Sequence, residues 1–142
     1  MYFRNEAEIQ CFLYANFEKV KVLLKQIIDE MYGTNIDKET IEYVGVEYCI
    51  PVSCTSKWAR GRERIDILYQ MNDVFIPIEL KQYAGPDSFY QVHSYKNGLK
   101  DFFGRESICG VIANKLSKNA KQTIQGHQNY FWVELSTLTY GV

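Results

Sequence analysis

Asp66, Glu79 and Lys81 are the residues of this chain whose types and spacing suit a reaction. Two carboxylates lie thirteen residues apart, and an amine follows the second after one apolar residue, in the pattern D-x12-E-x-K. The stretch Ile78-Glu79-Leu80-Lys81 ends an otherwise apolar run. Side chains alternate faces along a strand, so Glu79 and Lys81 project together with Phe75 and Pro77. Two converging carboxylates suit Mg²⁺, which takes one or two of them along with waters and a substrate phosphate. A lysine beside such an ion orients or deprotonates a water and offsets charge on a phosphate transition state. The chemistry this set would serve is hydrolysis of a phosphodiester. A lone Asp or Glu–x–Lys also marks a cross-strand salt bridge on a solvated face. Three features point past that: the acids follow apolar strand residues, their spacing spans one tight hairpin, and a helix start with glutamine comes next in the chain.

The elements that must position these residues are legible as patterns. Residues 64–70 and 74–81 read as two strands joined by a tight turn at 71–73, which brings Asp66 near Glu79 across the hairpin. Before them, residues 41–52 alternate, with Val44, Val46, Tyr48, Ile50 and Val52 on one face. Residues 5–32 carry apolar side chains at helical spacing, with a break expected near Asn16. Asn5 and Glu8 resemble a capping box, and Gly33 a left-handed stop. Gly85-Pro86 opens a helix of about 86–103 that Gly104 ends. Residues 108–113 form a short buried strand, 117–125 a helix capped by Ser117, and 130–135 a last strand. The expected order is α-β-β-β-α-β-α-β. This is an α/β fold with a mixed central sheet and helices on both faces. Pro77, which has no N–H, predicts a bulge or a locally unpaired edge in its strand.

The length of 142 residues fits one domain, 1–142. A formal charge of −1 excludes a molecule that grips nucleic acid with its whole surface, so any such affinity must come from a local patch or a metal. No apolar run is long enough for a membrane helix, and the N-terminal residues lack a signal-peptide core, so a cytoplasmic protein without membrane contacts is expected. The cysteines Cys11, Cys49, Cys54 and Cys109 match no zinc spacing and read as buried or half-buried free thiols. His93 and His127 are isolated and read as structural or surface residues.

The motifs in order resemble the PD-(D/E)xK nucleases, and within them the branch typified by the C-terminal domain of archaeal NucS-type endonucleases. The residues that carry the likeness are Glu6 in an acid-containing helix, Arg64-Ile65-Asp66-Ile67-Leu68, Ile78-Glu79-Leu80-Lys81, and Gln91 with Tyr95 in Q-x-x-x-Y spacing. The segment SICGVIANKLSKNAKQTI is similar to the next strand and helix of that branch. The resemblance implies a restriction-endonuclease-like core. Asp66 and Glu79 would bind Mg²⁺ (or Mn²⁺) with the backbone carbonyl of Leu80, Lys81 would be the catalytic lysine, and Gln91 would support the site. For the N-terminal acid we assign Glu6, which lies nearer the apolar stripe of its helix than Glu8, a residue explained by capping. The single-strand-binding domain of that branch has no counterpart in the sequence, and a homodimer is expected.

Lys57, Arg60, Arg62 and Arg64 surround Trp58 just before Asp66. They read equally as a phosphate track with a stacking ring or as a solvated loop with a packing tryptophan. The function expected is a metal-dependent nuclease, foremost a DNA endonuclease, with RNA as a further substrate class. The alternative is an inactive nucleic-acid-binding or interaction module of the same fold. A role as an RNA-cleaving toxin or as a subunit of a restriction or repair complex keeps the chemistry and changes the setting.

Overall fold

The computed structural model describes residues 3–51 and 62–142. Asn5 opens the first helix, α1 (Glu6–Ala15), by accepting the Glu8 N–H through its side chain at 3.0 Å. The Glu8 carboxylate reaches past the cap residue to the backbone N–H and guanidinium of Arg4, both at 2.7 Å, so the reciprocal half of the capping box falls one residue early. The expected long helix is two. Asn16, with ψ of 31° and its side-chain amide donating to the Phe12 carbonyl, ends α1 and precedes α2 (Phe17–Tyr32). Gly33 stops α2 at a φ of 66°, where a side chain would be strained.

Among the described residues, six strands form one sheet in chain order. The first, β1 (Ile41–Pro51), pairs antiparallel with β2 (Arg62–Met71), and β2 with β3 (Val74–Ala84). After α3 (Asp87–Phe103) the chain returns as β4 (Cys109–Leu116), parallel to β3. After α4 (Lys118–Gln125), capped by the Ser117 hydroxyl, it returns again as β5 (Tyr130–Glu134), parallel to β4. A short last strand, β6 (Thr139–Gly141), turns back antiparallel on β5. It is absent from the expected order because three residues are too few to carry an alternation. The sheet is mixed as expected, with α1 and α2 over one face and α3 and α4 over the other.

Two strands depart from ideal geometry at or beside the β2–β3 hairpin. In β1 the register shifts between Tyr43 and Gly45, so Ile41 and Tyr43 face α2 whereas Val44, Tyr48 and Ile50 face the α3 layer. Val46 stands exposed, not on the buried face the alternation predicts. In β3, Pro77 causes no bulge, and its pairing with Leu68 is regular. The Phe75 N–H and C=O bond to β4's neighbourhood at Glu106 and Ile108, so odd-numbered residues of β3 direct their backbone groups to that side. Pro77 lacks the next N–H, and the β3–β4 ladder is interrupted between the Phe75–Ser107 bridge and Ile78–Gly110.

The core has two layers. Ile9, Leu13, Leu24, Ile27 and Ile28 pack on Ile67, Ile76, Ile78, Ile112 and Phe131. On the other side Phe89, Val92, Tyr95 and Leu99 of α3 pack on Ile65, Leu68, Val111, Ala113 and Trp132. Cys109 is buried, but Cys11 and Cys49 are exposed, contrary to the expectation for these thiols. Cys54 lies outside the described residues. Among the described residues no helix is long and apolar enough to cross a membrane.

Candidate metal-dependent active site

The hairpin of β2 and β3 is paired from the turn only as far as Ile67–Ile78. The next pair in that register would be Asp66 with Glu79, and here the strands separate. The backbone of Leu80 faces the gap because even-numbered residues of β3 point toward β2. Its N–H, left without a strand partner, is taken by the Asp66 carboxylate at 2.8 Å. The Leu80 carbonyl points to the same side, since both polar groups of a strand residue share an edge. On the opposite edge of β2 the register with β1 also skips one step, at Glu47 and Asp66, and Glu47 adopts a φ of 49°.

The result is a cavity of about 250 Å³ lined by Glu6, Ala7 and Gln10 from α1, Glu47, Asp66, Glu79, Leu80 and Lys81. Glu6 is exposed at the first turn of α1, on the side of the helix that borders this cavity. Gln10 donates to the Asp66 carbonyl at 3.3 Å and ties α1 to the end of the hairpin. Lys81 Nζ lies 3.7 Å from Glu79 Oε1, with the lysine about one-third exposed and the Glu79 side chain almost wholly buried.

Two acids so placed cannot both ionise cheaply. Burial pushes the Glu79 carboxyl up to about 8, and the Asp66 charge adds to this. Burial also raises Asp66, opposed by its bond from the Leu80 N–H. Burial and the neighbouring Asp66 charge thus favour the neutral form of Glu79 in the metal-free chain. Glu79 Oε2 is also bonded to the Tyr95 hydroxyl, which lies 2.9 Å from the Arg64 carbonyl. The Tyr95 O–H donates to Glu79 and has the Arg64 carbonyl as a second acceptor within reach. Gln91, one helical turn before Tyr95, lies near the same hydroxyl and opposes the rise that burial gives its pKa.

Of the residues singled out in the sequence, Asp66, Glu79, Leu80, Lys81 and Glu6 therefore meet at one cavity. Gln91 does not line it and reaches it through Tyr95. Arg64 does not line it: its exposed guanidinium lies 4.0 Å from Glu47, and its carbonyl lies 2.9 Å from the Tyr95 hydroxyl. Lys57, Trp58 and Arg60 lie outside the described residues, as does the side chain of Arg62. Sequence reasoning missed three participants. Tyr95 belongs to a recognised motif but carried no assigned role, although Q-x-x-x-Y places both residues on one helix face. Gln10, one turn after Glu6, carried the same helical signal. Glu47 carried none, because its approach depends on the irregular β1–β2 register.

The donor set fits a hard divalent cation. Among the described residues no three His, Cys, Asp or Glu side chains are close enough to hold an ion by themselves. Two carboxylates, with one backbone carbonyl facing the same gap, match Mg²⁺, which keeps waters and completes its shell with substrate.

The sheet order, the two helical layers and the acid–lysine corner define an α/β domain with an endonuclease-like core. A crystal structure of a repair endonuclease from Pyrococcus abyssi shares this fold, with a TM-score of 0.62 and 18% identity, over 95% of this chain and 48% of that one. The structure of an EndoMS–dsDNA2 complex also matches, at a TM-score of 0.47 and 17% identity over 81% of this chain and 43% of that one. This chain thus spans about half the length of the solved structures it resembles. No protein-family model matches it, nor does any curated protein sequence. The motifs of the sequence and the likeness in three dimensions point to the same fold.

Proposed function

We propose that the protein is a metal-dependent nuclease of the PD-(D/E)xK type, acting on DNA as an endonuclease. The observation that carries this reading is the gap between β2 and β3, where Asp66, Glu79, the Leu80 carbonyl and Lys81 converge at a solvent-reached cavity. That the fold is shared with a repair endonuclease supports DNA as the substrate. Asp66, Glu79 and the Leu80 carbonyl would hold Mg²⁺ or Mn²⁺. When bound, the ion lowers the pKa of a coordinated water and neutralises charge that develops on the phosphate.

The chain's own residues do the rest. Lys81 keeps a positive charge at the mouth of the carboxylate pair and orients the attacking water by hydrogen bonding. Glu79 must release its proton to serve, and Tyr95 fixes which oxygen faces the cavity. Gln91 acts through Tyr95 as a positioning residue. Glu6 adds a carboxylate from the far wall.

Cleavage of supercoiled plasmid, linear duplex, branched and single-stranded DNA with Mg²⁺ or Mn²⁺ tests this. Wild type should cut, and Asp66→Ala and Lys81→Ala should each lose about 100-fold or more of that activity. Calorimetric titration with Mn²⁺ should show binding that Asp66→Ala abolishes. Inert wild type that binds no metal would leave a salt-bridge cluster in a nucleic-acid-binding or interaction module.

A further inference from the structure

A second cavity, of about 450 Å³, lies where the parallel strands β4 and β5 begin with the Cys109–Tyr130 pair. It shares no residue with the catalytic corner. Its volume falls in the range of about 300–1,000 Å³ that small-molecule sites occupy. Two helices end in its wall. Glu30, Met31 and Tyr32 are the last three residues of α2, and Gln125 is the last of α4. The final carbonyls of a helix have no partner within it, and each such end carries roughly half a negative charge. Neither helix has a basic residue in its last turn to offset this. The exposed Glu30 carboxylate adds a full charge and forms no ion pair among the described residues. Among the described residues no lysine or arginine lines the cavity.

The aromatic side chains of the wall are held in place. The His127 ring stacks on Phe89 at 4.2 Å, and its Nδ1 donates to the Thr123 carbonyl at 2.8 Å. Tyr130 has the Lys96 ammonium over its ring at 5.5 Å, and its hydroxyl meets His93 Nδ1 at 2.6 Å. Tyr32 differs from both. Its hydroxyl is fixed on the Asn129 side chain, yet its ring is 45% exposed and meets no other ring or cation among the described residues. Two negative helix ends, a free carboxylate and a free aromatic face thus meet at one cavity. That set attracts a cation and repels a phosphate.

We infer that this cavity binds a small organic cation, a guanidinium or primary ammonium on a slender aliphatic body. Glu30 is the counter-ion and Tyr32 the ring on which the cation lies. The inference goes beyond the nuclease reading and does not rest on it. A bare metal ion fits less well, because Glu30 is the one carboxylate in the wall and the rings offer it no ligand.

A ¹H–¹⁵N NMR titration of the metal-free chain at pH 8, where histidine is uncharged, tests this. The probes are agmatine, butylguanidinium and its neutral isostere butylurea. The two cations should shift the amides of Tyr32, His127 and Gln128 saturably, and butylurea should bind about tenfold more weakly. Glu30→Gln should weaken agmatine about tenfold. Tyr32→Leu should weaken it about fivefold, whereas Tyr32→Phe should bind as wild type. Circular dichroism of each variant should match wild type, because both positions are exposed. The acids of the catalytic corner also attract cations, so Asp66→Ala is the control and should bind agmatine as wild type does. Shifts confined to Asp66, Glu79 and Leu80, butylurea binding as well as butylguanidinium, or Glu30→Gln binding as wild type overturns the inference. A chain that binds agmatine in this way but never cuts DNA would remove the nuclease reading and leave this one standing.

Discussion

The residue that organises the corner is Tyr95. Its hydroxyl joins α3 to Glu79 and to the backbone of β2 at Arg64, so it fixes both strands where they part. Tyr95→Phe leaves the ring in the core and removes that bridge. We expect a loss of about 1–3 kcal/mol in stability, read by urea unfolding. Affinity for Mn²⁺ should fall about 10- to 100-fold, because the Glu79 carboxylate loses its orienting partner. Glu79 itself makes the metal-free chain sensitive to pH. Its folded pKa is raised from 4.5 to about 8, so the folded state binds the proton more tightly than the unfolded one. The stabilisation is complete below about 4.5 and is lost as pH rises through about 8, at up to about 1.4 kcal/mol per unit. Unfolding in EDTA at pH 5, 7 and 9 should show this decline, and Glu79→Gln should flatten it.

At the scale of elements, the site exists because ladders stop. β2 and β3 are held together by their turn and by Ile67–Ile78, then diverge, and Asp66 takes the stranded Leu80 N–H. The position of β3 depends in turn on the parallel ladder with β4 and on how closely β4 approaches β5. The Phe131 ring of β5 lies across Gly110, since a Cβ there would lie 2.1 Å from it. Gly110→Ala should therefore destabilise the fold by about 1–3 kcal/mol through overpacking, with a matching drop in the urea midpoint. Phe131→Leu in the same chain should recover part of it.

For the whole molecule, size and charge set the terms of binding. A domain of 16.6 kDa with near-zero net charge offers few electrostatic contacts to a phosphate backbone. A second copy would double them, and we expect a homodimer at micromolar concentration. Light scattering behind size exclusion should give about twice the chain mass, and a value near 16.6 kDa would rule the dimer out. Binding of one copy to DNA should fall only gently with salt, since the slope scales with the few phosphates neutralised.

The sequence by itself determined all the larger secondary elements and the meeting of Asp66, Glu79 and Lys81 at the hairpin. Alternation and helical spacing are local properties, as are the caps at Asn5, Ser117, Gly33 and Gly104, and each is written in adjacent residues. D-x12-E-x-K was legible because a hairpin turns sequence distance into spatial nearness. Tertiary structure decided what no local pattern holds. It made one face of β1 into two through a bulge, chose the unpaired edge over the bulge as the two expectations at Pro77, and placed Glu47 beside Asp66. It gave Tyr95 its role, because only the packing of α3 on the sheet brings that hydroxyl to Glu79. It also brought the C-terminal ends of α2 and α4 to one cavity, since where a helix ends in space depends on partners distant in the chain.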